Sequence, residues 1–249
     1  MNQAAFNLLA FDTSTEQLSV AVQRAADGRR LTHQGAGGAQ ASATLIPTVQ
    51  RLLAEAGLAL GDLHAIVFGR GPGSFTGLRT ACSVAQGLAW GAGVPVLPLD
   101  TLLAVAEAAR QSAGATRVLA LLDARMGEIY HAEYAWADAG WQTLAGPAVS
   151  PPERLPLPAA GAVLAGNAFA PHGERLPAAL RALPRVDALP TAEALLALAP
   201  AGLTAGRAVP ADQALPLYIR DKVAQTTLER AEQAARKLAG GAAALRSPP

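Results

Sequence analysis

The sequence predicts a mixed α/β protein built of two related lobes, and three observations carry that expectation. Apolar strand-like runs alternate with runs of helical period, a strand-turn-strand segment occurs twice, and 249 residues with 51% hydrophobic side chains supply enough apolar surface for a substantial core.

The elements follow in order. LLAFD is a buried strand, TSTEQ a turn, and LSVAVQR an alternating strand returning beside the first, with a third strand near LTHQG. Ser42 can cap a helix with Pro47 in its early turns; Leu45, Ile46, Val49, Leu52, Leu53 and Ala56 share its apolar face, and Gly57 lies near its end. HAIVFG is a strand feeding the Gly-rich loop GRGPGSFTGLR, after which FTGLRTACSVAQGLAWG reads as a helix and VPVLPLD as a strand.

LLAFDTSTEQLSVAV is then echoed by LALLDARMGEIYHAEY, each an apolar strand ending in aspartate, a polar turn and an alternating strand, with Asp12 and Asp123 at matching places. The helix TLLAVAEAAR lies between the halves. The expected division is therefore a first lobe over 1–104, a second over 105–220, and a C-terminal helix and tail over 221–249. That last helix opens on a capping-box pattern, Thr226 with Glu229, and carries Arg236 and Lys237 near its end, where cations favour the helix dipole.

Composition excludes several classes. Twenty basic against 19 acidic groups leave a formal charge of +1, so the chain has no global electrostatic reason to grip a polyanion. The single cysteine, Cys82, forbids an intrachain disulfide, and no stretch reaches the roughly 18 uncharged apolar residues of a membrane span. With an N-terminus lacking a basic leader pattern, a cytoplasmic location is expected.

Four segments are candidates for chemistry. The Gly-rich loop has the placement of a phosphate cradle but fails the Walker spacing, since Gly77 is followed by Leu78 and Arg79, and the dinucleotide spacing, since Ser74 stands where a third glycine is needed. The alternative is structural: Gly71 and Gly73 supply unusual backbone angles, Pro72 stiffens the turn and Ser74 caps the helix. Spacing alone leaves both open. The helix that follows carries a ridge of small residues, Gly77, Ala81, Val84, Gly87 and Gly91, which invites close approach by the chain's own sheet or by a partner. Asp12 and Asp123 either face a nucleotide and its magnesium or make turn hydrogen bonds. The histidines His33, His64, His131 and His172 lack the one-turn spacing of a helical zinc site, so a metallopeptidase is not expected and no residue is assigned to a metal.

LLAFDTSTEQLSVAV, VFGRGPGSFTGLRTACSVAQGLAWG, LALLDARMGEIY and LPLYIRDKVA together resemble the TsaB (YeaZ) family. GRGPGSFTGLR is the most specific block, and the region from about 135 to 210 matches only loosely. The resemblance implies the actin-like (ASKHA) fold, a duplicated RNase H-like architecture, in agreement with the internal repeat. It also implies a non-catalytic scaffold in the complex that transfers a threonylcarbamoyl group to N6 of the adenosine beside the anticodon of tRNAs reading ANN codons.

In that family the larger relative TsaD holds the metal and performs the transfer, the ATPase TsaE joins it, and the scaffold forms a homodimer when alone and meets tRNA only through the complex. No cofactor of its own is implied; ATP and metal belong to the partner subunits. The resemblance places the shared interface on the helices after Ser42 and Ser74, with Leu45, Val49, Ser74, Phe75, Gly77, Leu78, Ala81, Val84 and Leu88 as partner-binding residues. The nucleotide cleft looks degenerate at Asp12, Thr13, Ser14 and Asp123, because kinases of this fold have a glycine within the first turn, and Gly166 with Asn167 replaces their Gly-Gly adenosine loop. The alternative is an ATP-binding kinase or ATPase of the same fold.

Overall fold

In the computed structural model Leu8, Leu9, Ala10 and Phe11 are fully buried, because the strand they form, β1 (Leu8–Asp12), lies at the centre of a sheet covered on both faces. β1 pairs antiparallel with β2 (Gln17–Gln23), and β2 with β3 (Arg30–Ala36). On its other side β1 runs parallel to β4 (Ala65–Gly71), and β4 to β5 (Val96–Asp100), giving the order β3-β2-β1-β4-β5.

The second sheet repeats this plan strand for strand. β6 (Arg117–Asp123) pairs antiparallel with β7 (Ile129–Ala137) and β7 with β8 (Gly140–Ser150), while β9 (Val163–Gly166) runs parallel to β6 and β10 (Arg185–Asp187) parallel to β9. β6 is thus the counterpart of β1, and Asp12 and Asp123 end equivalent strands. The chain has the two-lobed, actin-like α/β fold.

The structure describes residues 6–138 and 140–220, and the compact unit that holds both sheets is Met1–Ile219; the helix expected from Thr226 lies outside the described residues. One face of the first sheet, with Leu9, Phe11, Val20, Ile66 and Phe68, is covered by α1 (Ala41–Ala56) and α2 (Phe75–Ala92) through Leu45, Val49, Leu52, Ala81, Ala85 and Ala89. The opposite face takes Leu195, Leu196 and Ala199 of α6 (Ala192–Thr204) and Ala104 of α3 (Thr101–Ala113). α3 turns Leu102, Val105 and Ala109 to the second sheet, whose far side is covered by Leu155, Leu176 and Leu180 near the short helices α4 (Phe169–His172) and α5 (Ala178–Arg181). The boundary at 104 and 105 separates the sheets, whereas α6 and residues 209–217 return to the first: Val209 exchanges two backbone hydrogen bonds with Val96, and Leu217 donates to the Arg70 carbonyl.

A buried carboxylate ties α3 to the second sheet. Glu107 accepts from Nε and NH2 of Arg110, from Gln111 and from the indole of Trp141, all within 2.9 Å. Burial opposes its charge, yet the Arg110, Trp141 and Gln111 donors outweigh burial and hold the carboxyl below its usual range.

Three local expectations are corrected. α1 begins at Ala41 on a preceding 3-10 turn, and the Ser42 hydroxyl donates to the Ala39 carbonyl instead of capping an amide. Ile46 is exposed, because the buried arc runs through Leu45, Val49 and Leu52 and leaves it on the outer flank. Gly71 has φ +121°, but Gly73 has no positive φ; a side chain there would meet Ser14 at 2.6 Å, so close approach is what it supplies.

Candidate functional site

The Gly-rich loop cradles the protein's own first turn. A Cβ on Gly77 would lie 1.9 Å from the Thr13 carbonyl oxygen, and one on Gly69 would meet the Asp12 carboxylate. The Thr13 hydroxyl donates to the Gly77 carbonyl at 2.7 Å, and the Ser74 amide donates to the Ser14 carbonyl at 2.7 Å. Ser74 also caps α2, accepting from the Gly77 amide at 3.5 Å. The space that phosphate oxygens would need against these glycines is filled by Thr13 and Ser14, which is the structural alternative that spacing left open.

Both aspartates make turn hydrogen bonds. Asp12 is completely buried, and its Oδ1 accepts from the Ser14 amide at 2.8 Å and the Ser14 hydroxyl at 2.6 Å, while Oδ2 has no hydrogen-bond partner among the described residues. Desolvation pushes its pKa up to about 6 against the pull of the Ser14 donors. Asp123 accepts from the Arg125 amide at 2.9 Å and lies 3.0 Å from Nε2 of His172; its own amide donates to Oδ1 of Asn167. Asn167 in turn donates weakly, at 3.4 Å, to Glu16 in the first lobe's turn. Among the described residues no group of three or more His, Cys, Asp or Glu side chains is placed to hold a metal.

The expected partner-binding residues divide into two sets, and part of that assignment is corrected. Leu45, Val49, Gly77, Leu78 and Ala81 are buried in the protein's own core, so they support the helices from beneath and do not present to a partner. Val84 and Leu88 are half-buried at the edge of α2, and Ser74 and Phe75 are exposed. The small-residue ridge is likewise split: Gly77 and Ala81 are sealed by the chain's first turn and sheet, while Gly87 and Gly91 are exposed, with no atom of the described residues near a would-be Cβ.

What α2 shows to solvent is unusual for a surface helix. Its outer stripe, Thr76, Arg79, Ser83, Gly87 and Trp90, falls at steps of three and four and is exposed throughout; Trp90 is 75% exposed. Arg79 is the one charge in the 18 residues of α2. A solvated helix face is ordinarily rich in charge, so this face has the composition of a contact surface. Early α1 has a similar exposed composition, with Ser42, Ala43, Thr44, Ile46 and Pro47 all exposed and uncharged.

Local pattern missed the segment that flanks this face. Residues 214–218 lie along α2: the Ala214 carbonyl accepts from the Cys82 thiol and from Gln86, and Tyr218 reaches Arg79 and Phe75. The block LPLYIRDKVA contained Tyr218, but a contact spanning 139 residues has no signature in spacing.

Known proteins share this chain's sequence and its architecture. The E. coli K12 protein named tRNA threonylcarbamoyladenosine biosynthesis protein TsaB is 38% identical over 225 residues, 87% of this chain and 96% of its own length. The chain belongs to the TsaB (YeaZ) family. The Haemophilus influenzae TsaB is 44% identical over 128 residues, 51% of this chain and 52% of that protein. The solved structure of YeaZ from Pseudomonas aeruginosa superimposes with a TM-score of 0.79 at 42% identity, covering 86% of this chain and 99% of that one. A family model described as TsaD, tRNA N6-adenosine threonylcarbamoyltransferase, matches residues 36–234 of this chain.

Proposed function

We propose that this TsaB-family protein serves tRNA threonylcarbamoyladenosine formation as a scaffold that makes no bond itself and supports a TsaD-type catalytic subunit through the outer faces of α2 and early α1. The observation that carries the proposal is the outer stripe of α2, charge-poor and glycine-opened, with Trp90 standing out of it. The same surface serves self-association when the partner is absent, and a TsaE-type ATPase joins the assembly. Metal and ATP chemistry then belong to the partner subunits, and tRNA is met only in the complex.

The kinase alternative is the weaker one. Its three supports, Asp12, Asp123 and the Gly-rich loop, are engaged within the chain: Thr13 and Ser14 fill the glycine surfaces, Asp12 Oδ1 is committed to Ser14, and Asp123 accepts from the Arg125 amide and lies against His172.

Reconstitution tests the scaffold reading. Purified TsaD- and TsaE-type proteins of the same organism with the other substrates should form product only when this chain is added, and this chain alone should form none. Full product without it would refute the proposal. Gly87→Arg, which adds bulk and charge where nothing among the described residues lies within 4 Å of a would-be Cβ, should leave the fold intact and abolish pairing in size-exclusion chromatography.

A further inference from the structure

Arg79 on α2 is held in an arrangement that the scaffold reading does not require. Its guanidinium carbon lies 3.7 Å from the centre of the Phe75 ring, its Nε donates to the Tyr218 hydroxyl at 3.2 Å, and the Phe75 and Tyr218 rings lie 5.6 Å apart. An arginine fixed by stacking and by Nε keeps its two terminal nitrogens as a planar fork, a shape that matches a carboxylate with two parallel hydrogen bonds. No carboxylate pairs with Arg79 among the described residues. Fixing the side chain in advance removes part of the rotamer entropy that an exposed arginine otherwise loses on binding.

The charge balance of the face says what such a fork is for. α2 contains no acidic residue, and the one acid of α1, Glu55, is engaged by Arg51 at 2.8 Å. A second copy docking through these two helices therefore offers Arg79 no free carboxylate from them. We propose that Arg79, braced by Phe75 and Tyr218, is the residue that selects a heterologous protein partner bearing an exposed Asp or Glu opposite α2 over a second copy of this chain. The inference rests on the scaffold reading of α2 and adds to it the chemistry of the partner's contact. In a self-pair the cation stays unmatched; in the productive pair it meets its counter-charge, and like or unmatched charge at a closed interface is what discriminates between partners.

The experiment compares two equilibria. Binding of the TsaD-type protein of the same organism is measured by calorimetry, and self-association of this chain by sedimentation equilibrium, with circular dichroism confirming that each variant is folded. Arg79→Ala should weaken the heterologous pairing ten- to a hundredfold and leave self-association unchanged or tighter, since it removes a cation that the self-pair leaves unmatched. Arg79→Lys should lose nearly as much, since an ammonium has neither the fork nor the stack, and Tyr218→Phe, which keeps the ring but removes the acceptor for Nε, should cost several-fold. Unchanged heterologous affinity for Arg79→Ala, or equal weakening of both equilibria, overturns the inference. A loss seen only when tRNA is present overturns it too, because the counter-ion is then a phosphate. Gly87→Arg separates the two levels: if it disturbs neither equilibrium, the docking face itself is wrong, whereas if it abolishes pairing while Arg79→Ala does not, the selection by Arg79 alone falls.

Discussion

Gly77 and Gly87 sit on the same helix, ten residues apart in the sequence, and the same substitution should have opposite effects at the two. A methyl group at Gly77 would lie 1.9 Å from the Thr13 carbonyl oxygen, where ordinary contact begins at 3.4 Å, so the first turn must withdraw. Withdrawal breaks the Thr13 hydroxyl bond to the Gly77 carbonyl and strains the Ser74 amide bond to Ser14, each worth about 1 kcal/mol and both in a closed region. Overpacking adds about 1–3 kcal/mol, and the better helix propensity of alanine returns about 1 kcal/mol. Gly77→Ala should therefore destabilise by about 2–4 kcal/mol. At Gly87 nothing among the described residues lies within 4 Å of a would-be Cβ, so only the propensity difference remains and Gly87→Ala should stabilise by about 0.5–1 kcal/mol. Urea denaturation followed by circular dichroism measures both. If Gly77→Ala unfolds at the same urea concentration as the parent, or above it, the first turn does not pack against α2 as described, and the account of the Gly-rich loop fails.

Asp12 gives a pH prediction with a definite sign. Its folded pKa of about 6 stands above the ordinary aspartate value of 3.8, so the folded state binds more protons between them, and stability should fall as pH rises from about 4 to 6, by about 3 kcal/mol in all. Asp12→Asn should flatten that slope in urea unfolding measured from about pH 4.5 to 7.5, and an undiminished slope would assign it to another group. Trp141→Phe removes one donor from the buried Glu107 carboxylate and should cost about 1–2 kcal/mol with a change in near-ultraviolet circular dichroism; a cost below about 0.3 kcal/mol would show that Arg110 and Gln111 suffice to hold α3.

The strands and their duplication were legible in the sequence because a central parallel strand must be apolar on both faces, and LLAFD and LALLD are. The close packing at Gly77 was legible as a stripe of small residues, but its direction was not. Periodicity reports which residues share a helix face; which body approaches that face depends on where a turn 64 residues earlier comes to rest. The same limit explains Arg79. Its position in GRGPGSFTGLR was evident, while the Tyr218 hydroxyl that fixes its Nε comes from the far end of the compact unit and carries no local signal.

The two halves of this protein share strand order and sense, so the places where they differ mark what one half does that the other does not. Between β4 and β5 the chain inserts the 18-residue helix α2; between the equivalent β9 and β10 it has only two four-residue helices, α4 and α5. Closing the far face of the second sheet took no more than Leu155, Leu176, Leu180 and their neighbours, so a long helix is not required to cover a sheet of this size. α2 covers its sheet with one side and leaves Trp90, Gly87 and Arg79 on the other, at the cost of interior glycines that weaken a helix by about 1 kcal/mol each. At Gly77 the first turn explains that cost. At Gly87 and Gly91 nothing among the described residues does, and the docking of a second protein proposed for this face would supply the reason at both.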